Sequence, residues 1–189
     1  MIDNLYPVLG RVMVIKGAKV NLRHIRIEDL GDLYEYSSQR EVAHAAGFAR
    51  SQDYLSSLDL FNELDTDLSW IIVQKNGKVV GNICLYELEN LSDGEKERHV
   101  SLGYALNKNF WNKGYMTDAV NCLINWLVDS YKKIDVVEAY VTLQNVSSQR
   151  VLEKAGFDFI ALVEVPYFDG YLTRNEVKVY ENKIAKRRV

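Results

Sequence analysis

The sequence predicts a mixed α/β fold in a single domain, and three observations carry that prediction. Short β-branched runs alternate with helical stretches in the order β-α-α-β-β-β-α-β-α-β-β, the pattern of one central sheet with helices. Residues 116–130 set Ala119, Val120, Leu123, Ile124, Leu127 and Val128 on one wide apolar stripe. The composition is globular, with 48% hydrophobic and 26% charged residues in a chain of 189. A chain of this size buries roughly 70% of its unfolded surface and needs no staples.

The elements follow from local pattern. Residues 11–15 and 19–25 alternate as short strands. Ile27 to Leu30 open a helical stretch with Leu30, Leu33 and Tyr34 on one face. A second helix, about residues 51–64, is expected to start at Ser51 as N-cap and to carry Leu55, Leu58 and Phe61 inward. The run 70–73 is a strand, and Lys75-Asn76-Gly77-Lys78 reads as a primed hairpin turn returning along 79–88. The charged stretch 93–98 is a solvated turn before a strand at 99–106. After the long helix come a strand at 135–142 and a short helix at 146–155 that Gly156 stops. Strand-like runs at 157–165 and 175–181 close the chain.

Charge and composition exclude several classes. With 23 Lys+Arg against 26 Asp+Glu the net charge is −3, which argues against a basic nucleic-acid-binding surface. No apolar run approaches the roughly 18 residues of a membrane span. Met1-Ile2-Asp3-Asn4 lacks the basic start of a secretory signal. Cys84 and Cys122 read as free, packed thiols of a cytoplasmic protein. His24, His44 and His99 form no metal-ligand spacing with them.

Two segments carry chemistry. In residues 99–117 a strand runs through Asn107-Lys108-Asn109-Phe110-Trp111-Asn112-Lys113-Gly114-Tyr115-Met116 into the long helix. The glycine permits close backbone approach, and the first helical turn offers N–H groups with no internal partner. Together with Lys113 they suit a phosphate or pyrophosphate. The run is neither a nucleotide P-loop nor a dinucleotide fingerprint. In residues 145–157, Asn145 and Ser148 stand at the start of a helix and can point the same way. The plainer reading makes Asn145 an N-cap and Ser148 a solvated first-turn residue.

Phe110-Trp111-Asn112-Lys113-Gly114-Tyr115-Met116-Thr117-Asp118-Ala119, followed by Asn145-x-x-Ser148 and Glu153-Lys154-Ala155-Gly156-Phe157, resembles the acetyl-CoA-binding core of the GNAT N-acetyltransferases. The likeness is to the branch that includes the ribosomal-protein N-terminal acetyltransferases. Leu22-Arg23-x-x-x-x-Glu28-Asp29, Leu102-Gly103-Tyr104 and Tyr167-Phe168-Asp169-Gly170-Tyr171 extend it over about residues 19–182. The resemblance implies a mostly antiparallel, splayed mixed sheet flanked by helices. It implies acetyl-CoA as cosubstrate and a primary amine (a protein N-terminus, a polyamine or another small amine) as acceptor.

It also implies roles. Backbone N–H groups of Lys113, Gly114, Tyr115, Met116 and Thr117 would hold the pyrophosphate. Leu106 and its neighbours would bind the pantetheine arm through backbone groups, Asn145 would bind it too, and Ser148 would sit near the sulfur. The first and last signature positions of the superfamily's phosphate loop differ here, being Trp111 and Met116. The tyrosine that many members use to protonate the thiolate falls at Leu152, which makes Ser148 the substitute.

Transfer needs a neutral amine, an oxyanion donor and a hydrogen bond to the leaving sulfur. Backbone N–H groups at the strand splay would supply the oxyanion donor. His99 is a candidate base by its ordinary pKa of about 6.5, with Glu87 and Glu138 as rivals. It shares a strand face with Ser101 and Gly103. Glu87, Tyr104, Tyr167 and Tyr171 are candidate acceptor-cleft residues. Glu63, Asp65 and Asp67 form an acidic patch that reads as a solvated loop or an attractor for a cationic amine, and Lys183, Lys186, Arg187 and Arg188 a basic tail that reads as a frayed end, with a ribosome or RNA contact as the alternative. The competing class is a non-catalytic acyl-CoA-binding regulatory module. Either is expected to be a monomer or homodimer with no membrane or nucleic-acid partner.

Overall fold

The computed structural model describes residues 14–88, 97–131, 134–168 and 172–187. Its contacts cluster into two compact units, Met1–Tyr86 with Gly103–Trp126 and Glu87–Leu102 with Leu127–Val189. Among the described residues there are eight strands and five α-helices, with strand order β1-β2-β3-β4-β5-β6-β8-β7. The predicted mixed α/β class and mostly antiparallel sheet are what the structure has.

In the first unit β1 (Ile15–Lys16), β2 (Val20–Arg23), β3 (Ser69–Gln74) and β4 (Val79–Glu87) pair antiparallel in sequence order. β2 ends earlier than its sequence suggests. Arg23 closes a two-bond ion pair with Asp29 at 2.7 and 2.8 Å, and Asp29 also accepts from the Arg26 N–H, which starts a short turn at Ile27–Asp29. The hairpin between β3 and β4 is not the primed turn expected. Only Gly77 takes a positive φ, at 92°, and Gln74 accepts from its N–H, as in a three-residue loop ending in a left-handed residue.

Helix α1 (Leu30–Ser37) buries Leu30, Leu33 and Tyr36, with Tyr36 in the place expected of Tyr34. Tyr36 is fully buried and its hydroxyl donates to Asn82 at 3.0 Å. A short α2 (Arg40–Ala46) was not legible, because only Val42 and Ala43 of it are buried. Helix α3 is Ser57–Leu64, not 51–64. Ser51 is no cap; it is buried and hydrogen-bonded to Ser37 at 2.8 Å. Asp53 and Ser56 exchange side-chain-to-backbone bonds that form a separate turn, which leaves Leu55 72% exposed instead of inward. Leu60, Leu64, Ile71, Val79 and Ala105 share this unit's core, and Leu58 and Phe61 pack against it.

β5 (His99–Leu106) and α4 (Tyr115–Ser130) each begin or end in one unit and continue into the other. In the second unit β5 pairs parallel with β6 (Val136–Thr142) from His99↔Val136 to Ser101↔Glu138. The ladder stops there, although both strands run on. β6 then pairs antiparallel with β8 (Leu172–Lys183), which pairs with β7 (Asp158–Phe168). Helix α5 (Val146–Lys154) buries Gln149 and Leu152. The basic end is no frayed tail within the described residues: Ile184–Arg187 form a turn, Ile184 is fully buried, and Arg187 donates to the Gly156 carbonyl at 3.3 Å.

Both cysteines are free and buried. Burial raises the Cys84 thiol, and burial with the Asp118 charge pushes Cys122 to about 11, so neither is an active nucleophile. No helix among the described residues is long and apolar enough to cross a membrane. Residues 93–96, Tyr171 and Arg188 lie outside the described residues.

Candidate active site

The connection from β5 to α4 is rigid for reasons spread along the chain. Asn107, fully buried, accepts at Oδ1 from the Asn109 N–H and from Gln39, both at 3.0 Å, and donates to Glu35 at 2.8 Å. Trp111 donates its indole N–H to the Leu106 carbonyl at 2.7 Å, so the residue that departs from the family loop ties the loop to the end of β5. That carbonyl therefore already has one donor. Asn112 and Gly114 both adopt left-handed backbone, with φ of 59° and 75°, which turns the chain sharply into α4. Asparagine tolerates this region far better than most side chains.

The first helical bond of α4 runs from the Asp118 N–H to the Gly114 carbonyl at 3.1 Å. The N–H groups of Tyr115, Met116 and Thr117 therefore have no acceptor within the helix. The helix dipole adds partial positive charge at the same end. Gln74 fixes Tyr115 by donating to its hydroxyl at 2.8 Å, and Phe110 packs on its ring at 6.1 Å. The Met116 side chain is buried, so only its backbone can serve a ligand.

Two lysines stand near this turn, the expected Lys113 and a second from elsewhere in the chain. Lys113 folds back, donating to the Asn109 carbonyl at 2.8 Å and lying over the Phe110 ring at 5.1 Å from its centre. Lys19, from the β1–β2 hairpin, donates to the Lys113 carbonyl at 2.8 Å. Its Nζ lies 3.0 Å from where a Cβ on Gly114 would stand. Nothing local in the sequence singles out Lys19, because the contact joins residues distant in the chain. Higher on β5, the Tyr86 ring covers Gly103, and Tyr104 is half-buried.

The second unit holds the other predicted residues. Asn145 is the N-cap of α5, its Oδ1 accepting from the Ser148 N–H at 3.1 Å, so the structure brings this pair together as a cap. Leu152 is fully buried. His99 and Glu138, the alternative bases, lie in contact. His99 Nδ1 lies 2.6 Å from Glu138 Oε1, while Tyr140 donates to Glu138 Oε2 at 2.6 Å. A carboxylate only accepts, so this contact suits a His99 ring that carries a proton on Nδ1. Glu97 Oε2 stands 3.8 Å from Nε2. Burial and then Glu138 push the Tyr140 hydroxyl up to about 12, which keeps it a donor. Glu87 is exposed at the end of β4, and Tyr167 lies on β7.

A family model described as an acetyltransferase (GNAT) domain matches residues 19–158. The chain belongs to the GNAT acetyltransferase family. GNAT acetyltransferases use acetyl-CoA as cosubstrate, and the relatives of this one are named N-acetyltransferases. It is 37% identical over 90 residues to the uncharacterized N-acetyltransferase YjdG of Bacillus subtilis, a match spanning half of that relative. It is 28% identical over 147 residues to the uncharacterized N-acetyltransferase p20 of Bacillus licheniformis, covering 74% of this chain and 79% of p20. A GNAT acetyltransferase from Bacillus anthracis shares the fold with a TM-score of 0.79 at 19% identity, over 91% of this chain and 99% of that one. Spermidine N-acetyltransferase from Vibrio cholerae, solved with CoA and spermine, has a TM-score of 0.70 at 14% identity, over 89% and 97%. The ribosomal-protein α-N-acetyltransferase RimL, solved with coenzyme A, has 0.71 at 13%, over 91% and 98%. At those identities the likeness establishes the fold.

The residues at the start of α4 fit a diphosphate: three donors without helical acceptors, and a glycine whose missing Cβ leaves room for an ammonium beside them.

Proposed function

We propose that this GNAT protein transfers the acetyl group of acetyl-CoA to a primary amine, such as a protein N-terminus, a polyamine or another small amine, by direct attack in a ternary complex. The observation that carries the reading is the set of amides at Tyr115–Thr117, opened by Gly114, in a chain whose family uses acetyl-CoA. In the reaction the amine nitrogen bonds to the thioester carbon, the carbon–sulfur bond breaks, and the amine loses a proton.

The roles proposed for the chain's own groups follow from that balance. The Tyr115–Thr117 amides hold the pyrophosphate, and backbone groups of Tyr104–Leu106 with Asn145 orient the pantetheine arm. A backbone N–H near the end of β5 stabilises charge developing on the carbonyl oxygen. Ser148 hydrogen-bonds the departing sulfur. His99 takes the amine proton at Nε2, and Glu138 fixes its tautomer. Tyr104, Glu87 and Tyr167 are proposed to line the acceptor side.

The test is thiol release from acetyl-CoA across a panel of polyamines, small amines and N-terminal peptides. Turnover with at least one class, and with Ser148→Ala a fall in kcat larger than any rise in KM for acetyl-CoA, is the expected result. CoA binding without turnover on any acceptor would instead favour the acyl-CoA-binding module, to which the buried Leu152 in place of a tyrosine lends weight.

A further inference from the structure

We propose that Lys19 is a phosphate-binding residue of the acetyl-CoA site and that Asp118 is the residue that positions it. The proposal rests on the reading of the α4 start as the pyrophosphate site and adds to it a cation from a distant hairpin.

Two independent sets of contacts place Lys19. Its side chain reaches the phosphate turn, where Nζ donates to the Lys113 carbonyl at 2.8 Å and stands beside Gly114. Its backbone is fastened to the helix that would bind the anion. Asp118 Oδ2 accepts from the Lys19 and Val20 N–H groups at 2.7 and 2.9 Å, and Oδ1 from the Ala18 N–H at 3.2 Å. Gly17 makes room for that carboxylate, since a Cβ there would meet Asp118 Oδ2 at 2.7 Å. Lys75 braces the hairpin from the other side, donating to the Gly17 carbonyl at 2.7 Å and to Asn21 Oδ1 at 2.8 Å.

This arrangement sorts the charges. An acidic residue in the first turn of an anion-binding helix would repel a phosphate, but Asp118 faces three backbone donors. Among the described residues no carboxylate lies within ion-pair distance of the Lys19 ammonium. Lys113 is turned back onto the Asn109 carbonyl and the Phe110 ring, whereas the carbonyl that Lys19 engages belongs to the turn itself. Lys19 is thus the ammonium placed at the Gly114 turn, and it acts on the diphosphate and not on the nucleotide's 3′-phosphate.

The experiment is calorimetric titration of the wild type, Lys19→Gln, Lys19→Arg and Asp118→Asn with CoA and with dephospho-CoA, with each variant's melting temperature as the control for folding. Lys19→Gln loses the charge and reaches one bond less far, so loss of a purely structural tie would appear in the melting temperature, whereas loss of a phosphate contact appears in CoA affinity. The expected result is a Kd raised about tenfold for both ligands in Lys19→Gln, with Lys19→Arg within about threefold of wild type. Asp118→Asn should raise Kd about threefold, through loss of placement of the hairpin. Equal CoA affinity in wild type and Lys19→Gln overturns the inference alone. A loss seen with CoA but not with dephospho-CoA assigns Lys19 to the 3′-phosphate and overturns the diphosphate contact. Wild-type protein that binds neither ligand overturns the reading of the α4 start and the inference with it.

Discussion

The starts of α4 and α5 are built in opposite ways. At α5 the helix is capped from within, by Asn145 accepting from Ser148 in the same turn. At α4 the start is fixed from outside: Asp118 accepts from the β1–β2 hairpin, Lys19 reaches the turn, Gln74 holds Tyr115 and Trp111 ties the loop to Leu106. A locally capped helix uses its own side chain to satisfy an orphan N–H. One held by distant contacts leaves its first N–H groups for something else. The contrast is why the proposed diphosphate site is put at α4 and not at α5.

Breaking the distant framework should cost most. In Gly81→Ala the new Cβ would stand 2.1 Å from the Ala105 carbonyl oxygen and 3.0 Å from the Leu106 Cα, backbone that cannot swing aside. Chemical denaturation should show a loss of about 3 kcal/mol. Gly103→Ala meets the Tyr86 ring at 2.8 Å, a side chain tied to Cys84 by a hydrogen bond but 57% exposed, so the smaller loss of about 1 kcal/mol is expected. Next comes Asp118→Ala, which removes the acceptor of three backbone N–H groups at a partly exposed site. A loss of about 2 kcal/mol is expected by the same measurement.

The local cap should cost less and should separate stability from binding. Asn145→Ala is expected to lower stability by about 1 kcal/mol, whereas Asn145→Asp keeps a capping oxygen and should stay within about 0.3 kcal/mol of wild type. Both should weaken CoA binding if Asn145 also touches the pantetheine arm. An Asn145→Asp protein with unchanged CoA affinity would reduce Asn145 to a cap.

The smallest effect lies in acid. The Lys78 hydrogen bond, helped by Asn107 and opposed by burial, holds the Glu35 carboxyl below its ordinary 4.5. A depressed carboxyl stabilises the fold above its unfolded value and loses that contribution as pH falls through the folded value. Glu35→Gln should therefore cost a few tenths of a kcal/mol at neutral pH, the group being 39% exposed and screened. The gap to wild type should close as pH drops below about 4.5. Melting curves across that range read it directly.

What the sequence made legible follows the same division. The long helix, the strand at 99–106 and the α5 cap were readable because apolar period, alternation and an N-cap residue are local signals. The helix boundary at Ser57 was not, because the Asp53–Ser56 turn competes with helix only once those side chains find backbone partners. Of the site, Gly114 and the α4 amides were readable from a glycine before an amphipathic run. The pairing of His99 with Glu138 needed the β5–β6 register, and Lys19 and Trp111 needed tertiary contacts that no spacing encodes.

The most direct test of the account is a crystal structure of the protein with acetyl-CoA. It should show pyrophosphate oxygens at hydrogen-bond distance, about 2.7–3.2 Å, from the N–H groups of Tyr115, Met116 and Thr117. A complex in which the pyrophosphate lies elsewhere and those three amides face only water would contradict it.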